Sequence, residues 1–254
     1  MPILARMEYI ESKMFSPLKK IMNALFPPLC LSCEAPLPRD FPLLCGVCAL
    51  LMRPRGEFVC SSCGKRSPGF HHACHYGSIP VFAAFPYEDP VARRLIHALK
   101  YKRAEAAAKT IAFLATPLFT KALPKAGAEG GIPIILVPIP LAKGRERERG
   151  YNQSGLIAEA VAEELRGRGL RAEARKSLLR RVRDTGSQTA CKDEKERREN
   201  VKRCFFAEGP GELENALLFL VDDVVTSGAT IEEAARTLKN AGVPHIAGLA
   251  IAKT

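Results

Sequence analysis

The sequence lacks any apolar stretch long enough to cross a membrane. A transmembrane helix needs about 20 consecutive, mostly apolar residues, and no such run occurs in the 254 residues. Arg6, Glu8 and Glu11 stand near the start with no apolar segment before them, so we expect no secretory signal peptide. With 47% hydrophobic and 26% charged residues, the composition is that of a globular protein and excludes a disordered or fibrous one.

Acidic residues are few relative to basic ones. The chain has 38 Lys and Arg against 27 Asp and Glu, a net charge of +11, and residues 141–203 alone hold 18 basic and 11 acidic side chains. This excess favours anionic partners such as phosphates or nucleic acid. A solvated surface explains a charge excess of this size equally well.

Cysteine is scarce outside one short segment. Seven of the nine cysteines lie within residues 30–74, and the others are Cys191 and Cys204. Paired CxxC patterns in a chain without a secretory signal indicate metal binding rather than disulfides. Two CxxC pairs eleven residues apart can place four thiolates about 2.3 Å from one zinc ion. The alternative is a group of buried, reduced cysteines. This first set consists of Cys30, Cys33, Cys45 and Cys48.

A second set has the same form with one cysteine replaced by histidine, which is an acceptable zinc ligand. We favour His71 as the fourth ligand because it keeps the two-residue spacing to Cys74; His72 and His75 compete, and a metal-free second set is the alternative. Four protein ligands leave no open position for water, so both sets indicate structural zinc, which would supply folding energy to a small segment. The second set consists of Cys60, Cys63, His71 and Cys74.

The composition changes near residue 78. We predict an N-terminal helix and double zinc ribbon over residues 1–77, in which the apolar residues of segment 18–26 recur at helical spacing. Residues 78–254 alternate between strand-like and helix-like patterns, which predicts a parallel sheet covered on both faces. The predicted strands are 81–87, 132–139, 217–221 and 246–251, and the predicted helices are 90–100, 104–123, 153–165 and 230–240.

The most informative segment lies at the end of the predicted strand 217–221. Asp222 and Asp223 follow that strand, and a loop of small residues at 226–230, named here the 226–230 loop, opens into a helix. Backbone N–H groups at a helix N-terminus bind phosphate, and Gly228 permits close approach. Because two carboxylates repel phosphate, the ligand must also carry hydroxyls or a metal, as a sugar phosphate with Mg2+ does. The alternative is an acidic strand end that caps the helix.

Basic residues accompany this segment. Lys143, Arg145, Arg147 and Arg149 follow the strand that ends at the prolines of VPIP, and we expect them to form one mobile loop. Guanidinium groups bind phosphate oxygens bidentately, which suits a pyrophosphate group. A second cationic loop ends the predicted helix 90–100 and contains Lys100 and Tyr101.

The motif VDDVVTSGAT resembles the ribose 5-phosphate-binding motif of the type I phosphoribosyltransferases, whose shared ligand is phosphoribosyl pyrophosphate (PRPP). Nearly the whole chain is similar to ComFC-type members of the ComF competence-protein family. The similar segments, in the family's order, are the double zinc ribbon, LIHALKYK, VPIPLAKGRERERGYNQ, QTACKDEKERRENV and VDDVVTSGAT. His71 stands where the family usually has cysteine.

The resemblance implies a fold and a set of site residues. The implied fold is α/β, a type I phosphoribosyltransferase-like parallel sheet with flanking helices, preceded by a small N-terminal zinc-ribbon module. Asp222 and Asp223 would hold the ribose hydroxyls and, indirectly, Mg2+. Arg145 and Arg149 would lie in a closing loop over the reacting group. The other implied substrate-binding residues are Lys100 and Tyr101 at the pyrophosphate and Val225, Thr226, Ser227, Gly228, Ala229 and Thr230 at the 5′-phosphate.

The resemblance also implies a cytoplasmic protein that serves DNA uptake in natural transformation. Its ligands would be Mg2+–PRPP and structural zinc, and its partners single-stranded DNA and DNA-uptake or recombination proteins. The chain would transfer phosphoribose to an acceptor that the sequence does not specify. The alternative is a non-catalytic adaptor for single-stranded DNA with a PRPP-sensing pocket. Glutamine-dependent transfer is not expected, because it requires an N-terminal cysteine nucleophile and the first cysteine is Cys30.

Overall fold

A computed structural model of the protein describes residues 27–37, 43–71, 74–101, 104–125, 131–184, 193–209 and 213–254. The predicted helix over 18–26 lies outside the described residues. In chain order the described elements are α1 (Gly46–Leu51), β1 (Glu57–Cys60), β2 (Pro80–Pro86), α2 (Pro90–Ala98), α3 (Ala104–Ala122), β3 (Ile134–Pro138), α4 (Lys143–Arg149), α5 (Gln153–Gly167), β4 (Ala172–Ala174), β5 (Leu179–Arg181), α6 (Glu194–Val201), β6 (Phe205–Ala207), β7 (Leu217–Val225), α7 (Ala229–Asn240) and β8 (Ile246–Lys253).

A six-stranded sheet forms the centre of the fold. Its strand order is β1-β2-β8-β7-β3-β4, and every pairing is parallel except that of β1 with β2. Strands β3 and β8 are buried along their whole length, as expected for parallel strands covered on both faces. The prediction of an α/β fold with a parallel sheet and flanking helices is confirmed.

Helices cover the two faces of the sheet with separate apolar clusters. On one face, α2, α3 and α5 pack against the sheet, and the rings of Phe119 and Phe219 meet edge to face with centroids 4.8 Å apart. On the other face lie α7 and the small antiparallel sheet of β5 and β6, with Ile231 and Leu238 among the buried side chains. Among the described residues, no helix combines the length and apolar character that crossing a bilayer requires.

Strand β1 joins the zinc-ribbon segment to the sheet. It ends at Cys60, a predicted zinc ligand, and pairs along its whole length with β2. The second cysteine set therefore begins at the edge of the central sheet. The division of the chain at residues 77 and 78 remains a prediction.

The basic segment after β3 is a helix rather than the expected mobile loop. Helix α4 spans Lys143–Arg149 and ends at Gly150, whose φ of 78° is left-handed. Arg, Lys and Glu are good helix formers, and glycine is the residue that most readily adopts the left-handed conformation after a helix. The clustered like charges had suggested a loop, but alternating Arg and Glu side chains are tolerated on a solvated helix.

Gly248 sets the distance between α7 and the sheet. A Cβ at this position in β8 would lie 2.7 Å from Cδ1 of Ile231 and 2.8 Å from Cγ2 of Val81. We therefore expect Gly248→Ala to lower the free energy of unfolding by about 1–3 kcal/mol through overpacking, as measured by urea denaturation. Gly167→Ala is the control, because a Cβ at that helical glycine meets nothing within 4 Å. Equal stability of the two variants would contradict the tight packing of α7.

Candidate functional site

The candidate site begins where β7 passes into α7. Strand β7 continues through Asp222 and Asp223 to Val225, farther than the predicted strand end. The N-cap residue of α7 is Gly228, with φ 79° and ψ −8°, and no side chain caps the helix there. The first N–H groups of a helix have no intrahelical acceptor, so the 226–230 loop presents donors of partial positive charge.

A cavity of about 380 Å³ lies at this junction, near the edge where the parallel strands β3, β7 and β8 end. It brings together the predicted Asp222 and Asp223, the 226–230 loop and three of the predicted cationic side chains. Tyr101 instead lines a neighbouring cleft. The predicted residues that line the cavity are Lys100, Arg145, Arg149, Asp222, Asp223, Val225, Thr226, Ser227, Gly228, Ala229 and Thr230.

Asp222 is held in place by α5. Its Oδ1 accepts hydrogen bonds from Ser154 Oγ, at 3.1 Å, and from the Asp223 N–H, at 2.9 Å. Burial, together with the neighbouring carboxylate of Asp223, raises the pKa of Asp222 to about 8. A cation or a hydroxyl-bearing ligand in the cavity would favour the ionised form, because it compensates for the lost hydration.

The raised pKa of Asp222 predicts how the free energy of unfolding depends on pH. Between about pH 4 and pH 8, Asp222 keeps its proton in the folded state and releases it in the unfolded state. The free energy of unfolding therefore falls as the pH rises through this range. Asp222→Asn removes this contribution. We expect the free energy of unfolding of the wild type, minus that of Asp222→Asn, to fall between pH 5 and pH 8 in urea titrations. A difference that stays constant with pH would contradict the raised pKa.

Arg181 is a cavity residue that the sequence analysis missed. Its Nη1 donates to the Pro140 carbonyl at 3.3 Å, and its guanidinium carbon lies 5.3 Å from the centre of the Phe205 ring. Burial lowers the pKa of Arg181. Arg181 lies on the same face of β5 as the buried Leu179, but no local pattern predicts this strand of three residues.

Helices α2 and α5 contribute further residues that line the cavity. The Tyr151 hydroxyl lies 2.9 Å from the Leu99 carbonyl oxygen and 3.1 Å from that of Tyr101, which joins the loop after α2 to the start of α5. Asn152 caps α5 by accepting from the Ser154 N–H at 3.0 Å, and its Nδ2 donates to the Ile139 carbonyl at 2.9 Å. These contacts fix the end of β3 relative to the two helices.

The neighbouring cleft has a volume of about 1270 Å³ and shares Lys100 and Arg149 with the cavity. Arg93 and Arg94 add two further cations, and the guanidinium carbon of Arg93 lies 5.6 Å from the centre of the Tyr87 ring. Tyr101 is 59% exposed and lies beside His97, with ring centroids 4.8 Å apart. The cleft therefore combines cationic and aromatic side chains along one side of the cavity.

The first cysteine set has the arrangement of a closed zinc site. Its four Sγ atoms lie within 4.8 Å of one another, and those of Cys33 and Cys45 are 3.6 Å apart. Four ligands about 2.3 Å from one ion in a tetrahedron lie about 3.8 Å apart, so the set fits zinc. The Cys30 Sγ accepts from the Cys45 N–H at 3.3 Å. Burial favours the neutral thiol, but N–H groups of Cys33, Cys45 and Ser32 outweigh it and lower the pKa of Cys30 to about 6.

The second set includes His75 where the sequence analysis favoured His71. Ligand atoms of Cys60, Cys63, Cys74 and His75 all lie within 4.8 Å of one another, and the Sγ atoms of Cys63 and Cys74 are 3.2 Å apart. The ring of His71 instead lies among other rings, with centroids 4.9 Å from Phe70 and 5.5 Å from His245. His75 is one of the two competing candidates of the sequence analysis, and the other, His72, lies outside the described residues.

Comparisons with known proteins identify the cysteine-rich segment. Residues 21–76 match the double zinc ribbon domain family. Together with the two clusters, this match supports structural zinc in the chain.

Relatives also match beyond the ribbon. The chain is 29% identical over 228 residues to "DNA utilization protein YhgH" of Salmonella typhimurium, which covers 87% of this chain and 94% of that protein. It is 28% identical over 219 residues to "Competence protein F" of Haemophilus influenzae, which covers 86% and 87% of the two chains. A shorter match, 35% identical over 108 residues, joins it to "Competence protein ComFC" of Bacillus subtilis and covers 42% and 39%.

Proposed function

Since the chain belongs to the ComF family of competence proteins, we propose that it binds Mg2+–PRPP and serves the uptake or use of DNA. The names of its relatives, competence and DNA utilization proteins, support the second part of this proposal. The first part is carried by one observation: two adjacent carboxylates and a helix N-terminus line the same cavity.

The polar groups of the 226–230 loop suit a phosphate. The N–H groups of the loop and of the first turn of α7 would donate to the 5′-phosphate oxygens. Ser227 Oγ is buried and has no hydrogen-bond partner within the described part of the chain. A buried hydroxyl without a partner is costly, and a phosphate oxygen would satisfy it. Lys253, the last residue of β8, stabilises the loop because its Nζ donates to the Thr226 carbonyl at 2.5 Å.

The acids and the cations suit the rest of the ligand. Asp222 and Asp223 would accept hydrogen bonds from the ribose hydroxyls and orient the water shell of Mg2+. Lys100, Arg145 and Arg149 would contact the pyrophosphate oxygens. Bound Mg2+ would neutralise charge on the pyrophosphate as that group leaves.

A transferase of this kind needs little covalent chemistry from the protein. The acceptor's nucleophile would form a bond to C1 of the ribose while the bond from C1 to the pyrophosphate oxygen breaks, and the electron pair leaves with the pyrophosphate. The chain's contribution is to position both partners and to stabilise the charge that develops on the leaving oxygens. The neighbouring cleft, continuous with the cavity through Lys100 and Arg149, is where we place the acceptor.

The carboxylate pair provides the direct test. We expect Asp222→Asn combined with Asp223→Asn to abolish Mg2+-dependent binding of PRPP, because amides neither orient Mg2+ as well nor balance its charge. Isothermal titration calorimetry with and without Mg2+ measures the effect. The matched control is Glu163→Gln with Glu164→Gln, an adjacent acidic pair on α5 that does not line the cavity. Unchanged PRPP binding by the aspartate variant would refute the assignment.

A second candidate function is binding of single-stranded DNA without catalysis. It is favoured by the neighbouring cleft, in which Arg93, Lys100 and Arg149 lie with the exposed ring of Tyr101 and the half-buried ring of Tyr87. Cationic grooves with stacking side chains are typical of proteins that bind single strands.

Salt dependence tests this second function. We expect the affinity for a dT oligonucleotide to fall steeply with salt, and Arg93→Ala to reduce the slope of log K against log salt by about 0.7, the share of one phosphate contact on a single strand. Fluorescence anisotropy measures both. Arg168→Ala is the control, because Arg168 follows the end of α5, lies outside the cleft and pairs with Glu164. The same loss in both variants would place the DNA elsewhere.

A further inference from the structure

The backbone of the second cysteine set lies directly against the 226–230 loop. A Cβ added to Gly228 would lie 2.5 Å from the carbonyl oxygen of Ser61 and 2.8 Å from its carbonyl carbon. Ser61 stands between the predicted zinc ligands Cys60 and Cys63, and the turn formed by residues 60–63 is named here the second knuckle. The close approach leaves no room for a Cβ at position 228, and the positive φ also favours glycine there.

Ser61 joins the second knuckle to the first turn of α7. Its side chain is fully buried, and its Oγ donates to Glu232 Oε1 at 2.5 Å and accepts from the Ile79 N–H at 3.1 Å. Glu232 in turn donates its backbone N–H to the Gly228 carbonyl at 2.9 Å. The loop, the helix and the knuckle therefore share one hydrogen-bonded network.

Arg198 of α6 completes the network. Its Nη1 pairs with Glu232 Oε2, and its Nη2 donates to Ser62 Oγ at 3.1 Å. Glu232 is only 7% exposed, and a buried carboxylate needs partners of this kind. Arg198 contacts both the second knuckle and α7. Displacement of the knuckle would therefore disturb the carboxylate of Glu232 in the first turn of α7.

We propose that Ser61 is a positioning residue through which the second metal site sets the geometry of the 226–230 loop. Metal bonds to Cys60 and Cys63 fix both ends of the knuckle, Ser61 holds Gly228 and Glu232, and these residues aim the N–H groups of the loop at an anion. Loss of metal at the second set therefore weakens anion binding. The identity of the anion rests on the proposed function.

The first set provides a matched comparison within the same chain. Cys33 and Cys63 are both exposed second cysteines of CxxC pairs. The first set contacts α2 through the exposed Arg94, which donates to the carbonyl and to the hydroxyl of Ser32. Removal of one ligand at each set therefore compares metal loss beside the 226–230 loop with metal loss elsewhere.

The experiment compares Cys63→Ser with Cys33→Ser in the full chain. Metal analysis gives the zinc content, calorimetry gives the affinity for Mg2+–PRPP, and amide hydrogen exchange reports on residues 226–232 without any ligand. We expect each variant to lose one zinc ion. Cys63→Ser should bind PRPP at least about tenfold more weakly and exchange faster over 226–232. Cys33→Ser should change neither by more than about twofold.

Ser61→Ala keeps the proposal testable where Cys63→Ser fails to fold. It leaves all the metal ligands in place but removes the hydroxyl between Glu232 and Ile79. We expect full zinc content with an affinity for PRPP reduced about three- to tenfold, the share of one or two hydrogen bonds, and faster exchange over 226–232.

Two results would overturn the proposal: slow, unchanged exchange over 226–232 in Cys63→Ser after loss of its zinc, or equal effects of Cys33→Ser and Cys63→Ser. Faster exchange in Cys63→Ser alone supports the positioning role even where the wild type binds no PRPP, and that combination overturns the proposed ligand instead.

Discussion

The contact between the Ser61 carbonyl and Gly228 is the constraint on which the candidate site depends. It leaves no room for a Cβ at the N-cap of α7, where Gly228 adopts a left-handed φ of 79°. Lys253 holds the Thr226 carbonyl from the sheet side, and Glu232 holds Ser61 from the helix side. A loop of small residues has few side-chain contacts of its own, so these neighbours supply its rigidity.

Through this contact the zinc-ribbon segment has a structural role in the fold, in addition to any role in binding a partner. Strand β1 adds the segment to the sheet, and the second knuckle closes one side of the 226–230 loop. The cavity combines side chains of both charges. Although the chain is strongly basic, Asp222 and Asp223 line the cavity together with four cationic side chains. Such mixed charge suits a ligand that has phosphates at its ends and hydroxyls between them.

The apolar patterns predicted the central strands and most of the long helices, because burial on two faces or one leaves a clear period in the sequence. Helix α4 was predicted as a loop, since charged residues carry no apolar period, and the short strands β4 to β6 were not predicted. Spacing favoured His71 as the fourth ligand, whereas the described residues bring His75 to the three cysteines, because spacing alone does not give the path of the chain. The hydrogen bond from Ser61 to Glu232 joins residues that are 171 positions apart in the sequence, so no local sequence pattern predicts it. The position of Arg181 also depended on the fold.

We propose that the end of β7 binds a magnesium-bound ribosyl phosphate. A crystal structure of the wild-type protein soaked with Mg2+ and PRPP tests this proposal. We expect density for the 5′-phosphate at the N–H groups of residues 226–230, with the ribose hydroxyls on Asp222 and Asp223 and the pyrophosphate near Lys100. Clear density for the ligand at any other surface, with this cavity filled by water, would contradict it.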